Sequence, residues 1–171
     1  MRWSNRSRSP RVDCALVSLT HAASYSRLWL LIAAGLAAAG NKRARSAAGR
    51  GVVAIAIASV VVNGPAKLLV RRRRPFSRSR PALVRMPRST SFPSGHSASA
   101  FAFATAACCE HPRLAPALLP LAGAVAYSRV HTGVHYPSDV AAGAAMGIAC
   151  GVIAVRLPRP ATSRRPRHDV A

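Results

Sequence analysis

Apolar stretches alternate with polar and basic ones along most of this 171-residue chain. Four runs stand out at residues 51–70, 97–109, 114–127 and 141–157, and a fifth, wholly apolar run covers 28–40. A helix crossing a bilayer needs about 20 such residues at 1.5 Å each. The run at 28–40 is short by that measure, and extending it back through Tyr25 makes a first span. Residues 12–25 are mildly amphipathic, suited to lying along an interface. The pattern predicts an all-α polytopic membrane bundle of about five helices, four of them firm spans.

The breaks between runs are informative. Residues 41–50 read as a short basic connection, and residues 110–113 as a tight one. Asn63, Gly64, Pro65 and Lys67 interrupt the end of the second run. Residues 71–88 hold Pro75, Pro81 and Pro87, so this basic stretch reads as a loop and not a helix. Pro116 and Pro120 fall in the first turns of the fourth helix. Gly143, Gly147 and Gly151 recur every fourth residue, which puts small residues on one face for close packing in lipid. The basic ends, 1–11 and 158–171, read as disordered arms flanking a membrane domain at 12–157.

Composition sharpens this picture. Half of the residues are hydrophobic, only 5% are aromatic, and the net charge is +21. A soluble globule so basic would carry fewer long Ala/Val/Leu runs. The conflict disappears if the apolar residues cross lipid and the arginines sit in the connections. Such charge also fits nucleic-acid binding. However, the basic residues separate apolar runs, with no aromatic platform, helix-turn-helix pattern or zinc spacing. Cys14, Cys108, Cys109 and Cys150 lie in or beside apolar runs without a CxxC, and read as small buried hydrophobes.

Three polar clusters lie at the ends of apolar runs: Lys67 through Arg74-Pro75, Pro93-Ser94-Gly95-His96, and Ser128 through Asp139. Their chemistry fits a phosphate ester, which needs several fixed positive charges. Lys67, Arg74 and Arg129 can supply them, Arg in forked contacts and Lys as a point charge. Ser94 and Gly95 stand where a helix begins, where free N–H groups favour an anion. Ser94 also reads as a helix N-cap. His135 stands four residues before Asp139, with Pro137 opening the last helix between them. The Asp139 carboxylate can then hold one imidazole nitrogen and leave the other free to attack. His96 can give a proton to the leaving alcohol.

Lys67-x6-Arg74-Pro75, Pro93-Ser94-Gly95-His96 and Ser128-Arg129-x5-His135-x3-Asp139 follow in order. Together they resemble the three signature motifs of the type 2 phosphatidic acid phosphatases, relatives of the vanadium haloperoxidases. The resemblance implies a membrane helical bundle that hydrolyses phosphate monoesters or diphosphates without a metal or other cofactor. By carry-over His135 resembles the nucleophile, Asp139 its partner and His96 the general acid. Lys67, Arg74, Ser94, Gly95 and Arg129 resemble the phosphate binders. Family members often have six spans, more than are visible here.

The resulting expectation is a multi-pass cell-membrane lipid phosphatase. It acts on a polyprenyl or glycerolipid phosphate through a phosphohistidine, with membrane and lipid-linked phosphate as partners and no nucleic acid. The resemblance implies an extracytoplasmic active site. Two other readings compete: a vanadate-dependent haloperoxidase-like enzyme, and a non-enzymatic protein binding anionic lipid. The acidic residues are Asp13, Glu110, Asp139 and Asp169, and only Asp139 lies near the motifs, too few oxygens for a magnesium cage.

Overall fold

The computed structural model describes residues 9–38, 40–76 and 81–158. The expected arms fall mostly outside these residues, at 1–8 and 159–171. The described residues form an all-helical bundle. Helix α1 is Pro10–Ala22, α2 is Arg27–Ala38 and α3 is Lys42–Leu69. Helix α4 is Gly95–Glu110, α5 is Ala115–His131 and α6 is Pro137–Arg156.

Helix α3 begins at Lys42, not after the basic stretch. Asn41 caps it, its side chain accepting from the Ala44 N–H at 2.7 Å. The Lys, Arg and Ala residues that follow are strong helix formers. Residues 42–50, expected as a connection, are thus the first turns of a helix. At its other end Val62–Ala66 loosen into a π-turn around Gly64 and Pro65, after which Lys67–Leu69 resume the helix. Pro65 lacks an N–H and cannot hold the ordinary ladder, which explains the bulge.

Among the described residues two helices, α3 and α6, are long and apolar enough to cross a membrane. Helices α4 and α5, expected as full spans, have 16 and 17 residues. At 1.5 Å per residue they are about 24–26 Å long, a little under the bilayer core. Helix α2 is shorter still, with 12 residues.

Helix α4 is the centre of the bundle, packed on α3, α5 and α6. The glycine stripe of α6 makes one of these contacts possible. A Cβ on Gly143 would strike the Ser94 carbonyl, one on Gly147 the Ala98 carbonyl, and one on Gly151 would lie 2.7 Å from the Thr105 Cβ. On α3, a Cβ at Gly51 would lie 2.5 Å from the Phe103 ring. Phe103 is fully buried and meets buried Trp29 of α2 with ring centroids 5.5 Å apart.

Ion pairs and hydrogen bonds fix both ends. At one end Arg50 lies 3.6 Å from Glu110 and donates to the carbonyls of Ala154 and Leu157, tying α3, α4 and α6 together. At the other, α1 is pinned to α5 twice, by Asp13 with His131 at 2.7 Å and Thr20 with Ser128 at 2.8 Å. Of the cysteines only Cys150 is buried; Cys14 and Cys109 are exposed and Cys108 intermediate, so the expectation of buried hydrophobes holds for one of four.

Candidate active site

The π-turn of α3, the start of α4, the end of α5 and the turn before α6 meet at one end of the bundle. Arg129 occupies the last turn of α5, buried to 3% exposure. Thr132 closes that helix, its hydroxyl donating to the Ser128 carbonyl at 2.7 Å. Gly133 follows at φ +76, a left-handed conformation that glycine adopts readily. This turn brings the His135 N–H to 3.3 Å from the Arg129 carbonyl, so the two side chains of the third motif share one cavity.

Asp139 stands in the first turn of α6 behind His135, fully buried. Its Oδ2 accepts from the Tyr136 N–H at 2.9 Å and from the Ser91 hydroxyl, and its Oδ1 from Arg72 at 3.1 Å. His135 Nδ1 lies 3.7 Å from Oδ2, an ion-pair distance but too long for a hydrogen bond. The sequence led to the expectation that Asp139 grips His135 directly. Instead Ser91 and Tyr136 engage the near oxygen.

Arg74 faces the other side of the ring. Its Nη1 donates to the Val134 carbonyl at 2.9 Å and lies 3.1 Å from His135 Nε2. A guanidinium only donates, so Nε2 is the acceptor and the ring proton resides on Nδ1, toward Asp139. Arg74 is held in turn by the Ser89 and Thr90 carbonyls. Burial first, then Arg74 and Arg129, push the His135 pKa down to about 3, so the imidazole is neutral at pH 7.

These side chains border a cavity of about 580 Å³ that also takes in Lys67, Gly95 and His96. Six of the eight residues singled out in the sequence therefore line one space. Ser94 and Asp139 do not. The Ser94 hydroxyl is buried and accepts from the Ser97 N–H and hydroxyl as the N-cap of α4, while its own N–H donates to the Asp139 carbonyl. Arg129 Nε is buried without a hydrogen-bond partner, and no ion pair to it occurs among the described residues. A buried arginine facing a cavity without a carboxylate can receive an anion there.

Sequence reasoning missed Arg72 and Ser91. Arg72 is one of four consecutive arginines, and Ser91 closes a Ser-Thr-Ser run. Neither has a local signal that separates it from its neighbours. It also missed the turn between α1 and α2, whose Ser24 hydroxyl lies 3.4 Å from His96 Nε2.

The sequence pattern of the PAP2 superfamily matches residues 48–163. The chain belongs to the PAP2 superfamily. It is 40% identical over 140 residues to a decaprenylphosphoryl-5-phosphoribose phosphatase of Mycobacterium tuberculosis, covering 79% of this chain and 74% of that one. The crystal structure of Aquifex aeolicus LpxE superposes with a TM-score of 0.73 at 27% identity, covering 90% of each chain. A transmembrane PAP2-type phosphatidylglycerolphosphate phosphatase from Bacillus subtilis shares the fold, with a TM-score of 0.68 at 24% identity over 86% of this chain and 76% of that one. This PAP2 protein is a membrane-associated phosphatase, a phosphoric monoester hydrolase.

Proposed function

We propose that the protein is a multi-pass membrane phosphatase that removes a terminal phosphate from a polyprenyl-linked or related lipid substrate through a phosphohistidine. The observation that carries this reading is the buried Arg129 beside Arg74 and His135 Nε2 in one cavity. The relative named for a decaprenyl-linked phosphoribose supports a polyprenyl carrier. No relative cited above is named as a peroxidase, so the haloperoxidase reading is not favoured.

In this reading the phosphoryl group sits among Lys67, Arg74 and Arg129, against the start of α4 at Gly95. His135 Nε2 attacks phosphorus; the N–P bond forms as the P–O bond breaks and its electron pair goes to the leaving oxygen. His96 gives that oxygen a proton. Bound phosphate supplies the negative charge that lets His96 hold a proton beside Arg129 and Arg74. A water then attacks phosphorus, the N–P bond breaks, and the water proton returns to His96. Asp139, held by Arg72 and Ser91, favours the Nδ1–H tautomer and stabilises the ring as it turns cationic. Ser94 serves by shaping the first turn of α4 and not through its hydroxyl.

The reading needs no divalent cation. Three basic side chains neutralise the transferring group, and the oxygens of Asp139 are engaged by Arg72, Ser91 and Tyr136. The cavity end would face the extracytoplasmic side, as the sequence resemblance implies. The test is phosphate release by purified protein in detergent from a panel of polyprenyl-linked and glycerolipid phosphates. Release from a polyprenyl-linked substrate that survives EDTA and is blocked by vanadate is expected. Loss in EDTA with recovery on adding magnesium contradicts the proposal.

A further inference from the structure

The cavity is larger than a phosphate group requires. Its volume of about 580 Å³ lies in the range of sites that enclose whole small molecules. The basic side chains account for one part of its lining. Another part comes from the end of α1 and the α1–α2 turn, through His21, Ser24, Tyr25 and Ser26. This turn lies outside all three sequence motifs.

Its place relative to His96 gives it meaning. The group that protonates the leaving oxygen must touch that oxygen. The Ser24 hydroxyl, 3.4 Å from His96 Nε2, is therefore among the first protein groups that the carbon skeleton beyond the oxygen meets. The Ser24 hydroxyl donates to the Thr20 carbonyl at 3.0 Å, so it accepts from His96 Nε2 with one lone pair and keeps the other for a ligand hydroxyl. Tyr25 is 85% exposed at the cavity, with the Arg27 guanidinium over one face of its ring, 5.4 Å from the centroid. An exposed aromatic face beside hydroxyls suits a sugar ring, which has an apolar C–H side and a polar rim.

The backbone here is strained. Tyr25 and Ser26 are the two described non-glycine residues at positive φ, +54 and +60. Consecutive left-handed residues with side chains are unfavourable and cluster at ligand clamps. The turn is anchored by the Thr20–Ser128 bond, which joins it to the helix that carries Arg129.

We propose that the turn between α1 and α2 is the leaving-group subsite, and that it selects phosphate monoesters of a hydroxylated, sugar-like alcohol over those of a plain alkyl chain. The proposal rests on the phosphatase reading above. Ser24 and Tyr25 are its specificity-determining residues.

The test compares two primary-alcohol phosphates whose leaving groups resemble each other in acidity and differ in hydroxyls, ribose 5-phosphate and n-pentyl phosphate. Purified protein in detergent is expected to favour the former at least tenfold in kcat/KM. Ser24→Ala should reduce that preference several-fold. Tyr25→Gly removes the ring while relieving a strained φ, so it keeps the fold, and it should also shrink the preference. A ribose 5-phosphate carried on a short prenyl phosphate, run in parallel, separates a lipid-borne head group from a free one; loss of turnover preference in the variants on either carrier supports the subsite. Wild-type protein without the preference, or variants that keep it, overturn the proposal. His135→Ala separates the two ideas: phosphate release that survives this change defeats the phosphatase mechanism, whereas its loss alongside an unaltered preference in the turn variants defeats only the subsite.

Discussion

Arg74 Nη1 lies 3.1 Å from His135 Nε2, on the ring edge opposite Asp139. The same nitrogen that would attack phosphorus thus accepts from an arginine that would bind the phosphoryl oxygens. In the proposed reaction, arriving phosphate would draw the guanidinium onto itself and release the lone pair. Arg74 would then couple substrate binding to exposure of the nucleophile, and Arg74→Gln should lower kcat as well as affinity. Steady-state kinetics across the panel of lipid phosphates will show whether both fall.

The pH behaviour follows from the same contact. His135 is neutral until the pH falls through about 3, because burial and then Arg74 and Arg129 disfavour its charge. An unperturbed histidine would take its proton near 6.5. Before substrate binds, an NMR titration should show His135 still neutral at pH 5. Arg74→Gln should raise its pKa only part of the way, since burial is the largest cause. A wild-type midpoint near 6.5 contradicts the geometry.

Asp139 receives three donors, from Arg72, Ser91 and the Tyr136 N–H. An asparagine offers one acceptor oxygen and turns an NH₂ toward at least one of these donors. Asp139→Asn should lower kcat by roughly 10³-fold or more, by analogy with triad aspartates, while vanadate still binds. Ser91→Ala removes one charge-assisted bond, typically about 1.5–3 kcal/mol, and should give a smaller loss in the same direction. Parallel turnover and vanadate-inhibition curves separate the two effects.

Glycines divide sharply by position. Gly147→Leu would drive a side chain into the α4 backbone and should prevent a folded bundle. Gly143→Ala pushes on the Ser94 carbonyl, one residue from Gly95 and two from His96, and should lower both stability and activity. Gly123 has nothing within 4 Å of its would-be Cβ, so Gly123→Ala should be neutral or stabilising by up to about 1 kcal/mol. Thermal melting in detergent, with activity per folded molecule, checks all three.

The far end of the bundle should matter for stability alone. Arg50 and Glu110 are about 11% and 10% exposed in their side chains, so Glu110→Ala leaves a largely buried arginine without its carboxylate. Losses of about 3–5 kcal/mol are seen when such pairs are broken by removing one partner. A lower Tm with unchanged turnover per folded molecule is expected. Labelling from outside intact cells, in a background without native cysteines, should find Arg88→Cys and Arg113→Cys on opposite sides. Labelling of both from one side contradicts the proposed orientation.

Sequence alone carried the helical class, because apolar runs of 13–20 residues leave few alternatives in so basic a chain. It also carried the gathering of Lys67, Arg74, Gly95, His96, Arg129 and His135, since each stands at or beside a helix end and the short connections return these ends to one face. The glycine stripe of α6 was legible for the same reason: a four-residue period is a helix property. What was not legible depended on contacts distant in sequence. Nothing local marks Ser91 as the partner of Asp139, 48 residues away, or Ser24 as the neighbour of His96, 72 residues away. Ser94 was expected at the phosphate, yet its capping role turns its hydroxyl into the helix. Residues 42–50 read as a connection in the sequence because their charge masks a helix that the Asn41 cap opens.

The central claim is that His135 Nε2 becomes bonded to phosphorus. A single-turnover reaction with ³²P-labelled substrate, quenched in alkali because phosphohistidine is acid-labile, tests it directly. Wild-type protein should carry label that survives alkali and is lost in acid, mapped to the peptide containing His135. His96→Ala should accumulate such label with an activated aryl phosphate, whose departure needs little protonation, because the return of water is slowed. Near-normal turnover by His135→Ala, or turnover without any alkali-stable label in wild-type protein and His96→Ala alike, would contradict the account.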